Sequence, residues 1–503
     1  MTVATEGVAA GAAGQTPPEA EVPVVGQGVR VMQNTVVVFI ARIVGLVFAG
    51  ASSIILARYL GVERLGEYAA IYAYLGLFVW LASFGVGPLV AREAAQHREQ
   101  AGSILFTGAC VTAVFALATA GVAVAAAPIA HLGGKFLPLL AIGAVEILLL
   151  VPVALSGTIF QVDLRQWYNS AFSVIRQFLM FAIVVALYLL GAPLLYVVLG
   201  RLAVAAVEAG LNFYFARRFF ESPRIFLTPL AKMLLRDGFV VTLTTVAATI
   251  YLRIDQVMLH SMAGDQVLGP YAAAVRISEL FEALPAAFGS SLLPLLCVSV
   301  VAPDRFRRHL DIGYRYMVLA AAGLSVAFCV GARPIMHLTY GSKFAGAAPL
   351  LAVLIWSEIP IFFGGILGNG MMAAGLQAKA LWATAAGAIV NVALNIFFIP
   401  RWGAMGASWA TLISYWMCWT LALLPFRSTR VILWTGLRLV FPITAVALLV
   451  AGLVTFLPAN DWIRLVVAGV SYTGLVCLLG FARKQDLEFL RQAWKTRLGM
   501  RAA

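Results

Sequence analysis

The sequence predicts an all-α polytopic membrane protein with about fourteen transmembrane helices, set out as two pseudo-symmetric six-helix lobes plus two C-terminal helices. Three observations carry this reading. The 503-residue chain is 62% hydrophobic and only 11% charged, with a mean hydropathy of +0.94, whereas a soluble protein of that size needs roughly twice the charged fraction to cover its surface. Its apolar runs are continuous, not alternating, which excludes a transmembrane barrel. The second half of the chain also repeats the first.

Residues 1–33 are rich in Ala, Gly, Pro and Glu, with no basic segment ahead of an apolar core. They are predicted to form a flexible cytoplasmic tail, not a cleaved signal peptide. Apolar segments long enough to span follow at about 34–57, 67–91, 102–127, 136–160, 170–190, 194–216, 238–262, 269–300, 316–335, 346–372, 379–399, 403–425, 435–457 and 463–482. The first six make an N-lobe over 34–216, and a cytoplasmic linker occupies 217–237. The next six make a C-lobe over 238–425; two more spans fill 435–482, and 483–503 is a basic cytoplasmic tail.

With the N-terminus in the cytoplasm, about 23 of the 35 Lys and Arg fall on the cytoplasmic side and about 7 on the outer side. This asymmetry places both termini inside. It also accounts for the net charge of +13 without nucleic-acid binding. Five arginines, Arg42, Arg176, Arg201, Arg253 and Arg276, fall inside spans. No connection exceeds roughly twenty-five residues, too little for a soluble catalytic domain. The chain carries no GxxxxGK[ST], HExxH or DxD pattern, so it is predicted to transport, not to catalyse, and to need no metal. The five cysteines (Cys110, Cys297, Cys329, Cys418, Cys477) lie in apolar runs without a CxxC pair and read as small buried hydrophobes.

The repeat is read from matches in order. "LGEYAA" at 65–70 recurs as "LGPYAA" at 268–273, and "FG" at 84–85 recurs at 288–289. "GGKF" at 133–136 matches "GSKF" at 341–344, and "AVEILLLVP" at 144–152 matches "WSEIPIFFG" at 356–364, aligning Glu146 with Glu358. Six helices per repeat give two lobes of the same orientation, with a path between them.

The stretches "ILARYLGVERLGEYA", "FGVGPLVARE", "RIDQVMLHSMAGDQVLGPYAAAVRISELFEALP", "LTYGSKFAGAAPLLAVL" and "GAIVNVALNIFFIPRWGAMGASWATLISYW" resemble the MOP exporter superfamily, and within it the polysaccharide transporter branch of Wzx-type flippases. The resemblance implies twelve core helices in two lobes in a bacterial inner membrane. It implies a flippase for undecaprenyl-pyrophosphate-linked oligosaccharide, with membrane lipids and polysaccharide polymerase and export proteins as partners. No cofactor is implied; a gradient of H+ or Na+ is the expected energy source. A peptidoglycan-precursor flippase and a drug or cation antiporter share the architecture. A membrane glycosyltransferase or polymerase, the third class, would need larger outer loops than this chain has.

The intramembrane charges are the candidate site, because a charge in hydrocarbon is tolerated only where it faces water or a partner. Arg42, Arg253 and Arg276 are the candidate phosphate contacts, since the planar guanidinium donates bidentate hydrogen bonds and stays charged. Arg42 lies about 12 Å into the first predicted span; either it faces the cavity or helix carbonyls of its own lobe satisfy it. Asp255, Glu279 and Glu282 are the candidate coupling or cavity carboxylates. Arg276, Glu279 and Glu282 recur at i, i+3 and i+6, as a self-neutralising stripe or as cavity lining. Arg253 and Asp255 point about 200° apart on a helix, so one should face the cavity and the other a neighbouring helix. His260 is expected at a wetted loop end. Glu146, Arg176, Arg201 and Glu208 are expected to brace the first lobe internally, with a coupling-ion role as the alternative.

Overall fold

The computed structural model describes residues 24–162, 165, 167–217 and 225–482. The described residues fold as helices joined by short turns, without a strand. The first helix, α1 (Val24–Ser83), holds 60 residues and if straight would run about 90 Å, three times the thickness of a bilayer's hydrocarbon core. It does not run straight. Gly61 takes φ 72° and ψ −175°, a region closed to residues with a Cβ, and folds α1 into a hairpin. Helix α2 (Val86–Gln96) extends its second arm.

Helix α1 begins at Val24, ten residues before the predicted first span at Asn34. Residues 1–23 of the expected tail lie outside the described residues. Helices α3 (Ala101–Ala126), α4 (Leu137–Val162), α5 (Trp167–Leu190) and α6 (Leu194–Ala216) complete the first lobe.

The second lobe opens with α7 (Thr228–Ala263) and α8 (Asp265–Glu279), joined at Gly264 with φ 84° and ψ 173°. This is the turn of Gly61 repeated 203 positions later, four residues before the shared LGxY segment begins. The expected linker is therefore partly helix, since α7 includes residues 228–237. Backbone N–H groups of Ile225 and Leu227 donate to Ser103 Oγ (3.1 Å) and Thr107 Oγ1 (2.9 Å) on α3. The start of α7 is thereby tied to the first lobe, with Leu234 buried beside Val86, Val90 and Ile104.

Helices α9 (Ala283–Ser299), α10 (Pro303–Val330), α11 (Ala332–Tyr340), α12 (Ala348–Leu354) and α13 (Glu358–Ala373) follow. Helix α14 (Gln377–Trp419) is a second hairpin, broken at Gly403 with φ 54° just after Pro400. Twelve continuous segments are long and apolar enough to cross a membrane. Two of these segments of the described residues are broken, at Gly61 and at Gly403. The last two, α15 (Arg430–Thr455) and α16 (Asp461–Leu478), pack on α10. There the Tyr314 hydroxyl donates to the Ile432 carbonyl (3.2 Å) and the Tyr472 hydroxyl to the Leu319 carbonyl (2.9 Å). The basic tail from residue 483 lies outside the described residues. Cys297 and Cys477 are exposed on the perimeter of the bundle, against the expectation that all five cysteines are buried; an apolar run fixes that a residue is in a span, not which way it faces.

The lobes meet chiefly where α1 packs on α7 and α8. At the hairpin tips the contact is backbone on backbone. A methyl at Gly66 would lie 2.1 Å from the Asp265 carbonyl oxygen, and one at Gly269 would lie 2.0 Å from that of Val62. Gly66 and Gly269, and Val62 and Asp265, are each 203 positions apart, so the two contacts are repeat equivalents. Around them, Arg58 donates from Nε to the Thr339 carbonyl (2.7 Å) and Lys135 pairs with Glu67 (2.5 Å).

Candidate functional site: a charged cavity between the lobes

A cavity of about 710 Å³ lies between the lobes, walled by α1, α4, α5, α6, α7 and α8. Four arginines and three glutamates from inside the spans line it: Arg176, Arg201, Arg253, Arg276, Glu146, Glu208 and Glu279. The sequence can keep these charges at membrane depth because they pair with one another and face a polar space.

On the N-lobe side, Glu146 of α4 accepts from Arg201 Nε on α6, at 3.0 and 3.2 Å to its two oxygens, and from the Tyr72 hydroxyl at 3.0 Å. Arg201 also donates to the Tyr68 hydroxyl (3.1 Å) and lies 3.9 Å over the Tyr72 ring, a cation–π arrangement. Seven residues on, two turns along the same face of α6, Glu208 pairs with Arg176 of α5 at 3.3 Å.

On the C-lobe side one carboxylate serves two cations. Glu279 accepts from Arg253 Nη1 at 2.7 Å and from Arg276 Nη1 at 3.0 Å. Behind this trio is a pocket of about 50 Å³ bordered by Arg253, Asp255, Glu279, Glu282, Glu358 and Tyr415 among others. Asp255 is buried there and accepts from the Tyr271 hydroxyl and from the Gln256 N–H (2.8 Å). Glu358, the repeat counterpart of Glu146, is buried with one oxygen on the Ser278 hydroxyl (2.6 Å) and the other, Oε2, without a hydrogen-bond partner among the described residues. The repeat thus sets a carboxyl at the same place in each lobe and gives an arginine only to the first.

Several predicted residues converge here. Arg253, Arg276 and Glu279 stand on the cavity wall, and Asp255 sits between α7, α8 and α14. The stripe of α8 is both things at once, for Arg276 and Glu279 neutralise each other and line the cavity. The helix ends at Glu279, which leaves Glu282 in the smaller pocket.

Of the other predicted residues, only His260 needs correction. Arg42 is exposed and absent from the cavity wall. It lies nineteen residues before Gly61, about 28 Å along the helix, so it stands near the opposite end of the crossing from the hairpin tip. His260 is not a wetted loop-end residue but buried, bonded through Nδ1 to Asp265 (2.7 Å) and edge-on to Phe136. Glu146, Arg176, Arg201 and Glu208 pair within the first lobe as expected, and they also line the cavity. The rule applied to α8, that a row of charges in hydrocarbon must face water or a partner, was the available signal for α4 to α6 too.

Residues 31–298 match the model of a family described as polysaccharide biosynthesis protein. An uncharacterized membrane protein of Methanocaldococcus jannaschii is 22% identical over 240 residues, 46% of this chain and 45% of that protein. The chain therefore matches less than half the length of that curated relative. Among solved structures, the lipid II flippase MurJ in an inward closed conformation superposes with a TM-score of 0.71 at 15% identity, covering 89% of this chain and 98% of that one. An inward-facing multidrug resistance MATE family transporter of the MOP superfamily superposes at 0.61 with 15% identity, covering 78% and 96%.

Proposed function

The chain belongs to the polysaccharide biosynthesis protein family, and from that premise we propose that it is a flippase for undecaprenyl-pyrophosphate-linked oligosaccharide. It moves the sugar head from the cytoplasmic to the outer leaflet of the inner membrane by alternating access between the lobes, with both termini in the cytoplasm. The observation that carries this reading is the cavity's charge: four arginines against three glutamates. Each arginine side chain keeps between 36% and 51% of its surface open, so its remaining N–H donors are available.

A diphosphate is the anion such groups recognise best, because a guanidinium offers two parallel donors to a phosphate's two oxygens. The sugars occupy the polar cavity while the polyprenyl tail stays in lipid. A drug antiporter with a cationic substrate would need the opposite balance of charge. Protons or sodium ions supply the energy, and Asp255, Glu279 and Glu282 are the carboxylates placed to bind them. Polymerase and export proteins downstream take the product.

The likeness to the lipid II flippase favours one second reading, a peptidoglycan precursor, which presents the same diphosphate. Complementation separates the two. In a strain lacking its oligosaccharide flippase, wild-type chain restores surface polysaccharide, Arg253→Ala and Arg276→Ala fail at normal membrane abundance, and Arg42→Ala succeeds. Rescue of a strain depleted of its lipid II flippase instead selects the second reading. Full activity of both cavity variants would overturn the phosphate-contact assignment.

A further inference from the structure

Elsewhere in the cavity the ion pairs are one to one, Arg201 with Glu146 and Arg176 with Glu208. Glu279 alone is shared. Its two oxygens reach guanidinium groups on two different helices, at 2.7 and 3.0 Å, so one anionic fork holds Arg253 and Arg276 together. A phosphate group presents the same fork, two acceptor oxygens on one centre, to the same donors. The carboxylate is also the more sheltered of the three, 18% exposed against 36% for Arg253 and 51% for Arg276. All three line the cavity, and each of these ion pairs uses a single N–H of the five a guanidinium carries.

We infer that Glu279 is an internal stand-in for the diphosphate of the cargo. The inference rests on the function proposed above. Between transport events Glu279 keeps two like charges on α7 and α8 at the spacing a phosphate needs, and an arriving diphosphate displaces it. A displaced carboxylate has one place to go. Glu279 also borders the small pocket that holds Asp255, Glu282 and Glu358, where burial beside other carboxyl groups disfavours a further negative charge. That opposition returns Glu279 to the arginines and helps the diphosphate leave. A transporter needs both strokes, capture and release, and an anion competing from inside the protein supplies the second.

The test is a gain of affinity, which damage to the fold would not produce. Full-length protein in detergent is titrated with undecaprenyl pyrophosphate and, separately, with inorganic pyrophosphate, and binding is read by calorimetry. Glu279→Gln, whose neutral amide cannot compete, is expected to bind both about tenfold tighter than wild type, while transport in vesicles slows because release is impaired. Arg253→Ala and Arg276→Ala lose binding. A gain for the lipid but not for inorganic pyrophosphate overturns the inference, since the fork would then not be reading the diphosphate.

If Glu279→Gln does not fold, Glu279→Asp serves. Its shorter carboxylate cannot bridge both arginines, and it is expected to bind several-fold tighter than wild type. Unchanged affinity in these variants, with binding still lost in the arginine variants, overturns the stand-in and leaves the proposed function standing. No binding of either diphosphate by wild type removes the proposed function itself.

Discussion

Gly66→Ala is predicted to part the lobes at the hairpin tips without unfolding either lobe. The added methyl would lie 2.1 Å from the Asp265 carbonyl oxygen and 2.9 Å from its Cα. Carbon and oxygen sit comfortably at about 3.3 Å, so the two backbones must separate by about 1 Å. Overpacking of this kind costs about 1–3 kcal/mol. Because the atoms struck belong to the other lobe, that cost falls on the closed seam alone, and the closed state loses about 5- to 150-fold relative to any open one.

Gly269→Ala should behave alike, with its methyl 2.0 Å from the Val62 carbonyl oxygen. Gly121→Ala, where a methyl meets nothing within 4 Å, is the control. Spin labels at Glu63 and Gln266, both exposed near the tips, report the separation by double electron–electron resonance in liposomes, on a background freed of native cysteines. Longer, broader distances are expected for both seam variants and not for the control. A wild-type distribution in Gly66→Ala would refute the argument, because it would mean the clash is relieved within one lobe.

Two further outcomes follow from packing and pairing. Gly436→Ala places a methyl 2.4 Å from Phe363 and 2.9 Å from Tyr314, inside the C-lobe where nothing can move apart. It should lower stability in detergent by about 1–3 kcal/mol with the 63–266 distance unchanged; an unchanged melting temperature would count against the close packing of α15. For the N-lobe pair, a double-mutant cycle of Glu146→Gln and Arg201→Gln should show a coupling of about 1 kcal/mol in stability, modest because Arg201 is 39% exposed and screened. Additive single effects would mean the pair is incidental.

The helical membrane architecture was legible because it rests on local rules, the length and continuity of the apolar runs, whereas the glycine turns at Gly61 and Gly403 emerge only from the backbone. Arg253 and Asp255 were separable because two residues apart on a helix point to different sides. What stayed hidden depends on tertiary facing. Arg42 is exposed and off the cavity wall, a facing that its place in an apolar run does not reveal. The N-lobe pairs sit on α4, α5 and α6, and only the assembled lobe reveals that Glu146 meets Arg201 across 55 positions of chain. The burial of His260 follows from Asp265, across the turn, and Phe136, neither of which marks it by periodicity.

The paired glycines at the hairpin tips have the form of an interface in a symmetric homodimer, where residue i of one copy touches j of the other and j touches i. Here both copies are joined in one polypeptide. A half-length ancestor could have made this contact as two separate subunits, and any change to its glycine would then have struck twice. Joined in one polypeptide, the two halves are free to differ. The seam stayed reciprocal because a closure that must fit itself tolerates little drift, whereas the carboxyls behind it did not. One half gave its glutamate an arginine, and the other surrounded its own with hydroxyls and further acids. Geometry was inherited in duplicate, and chemistry diverged.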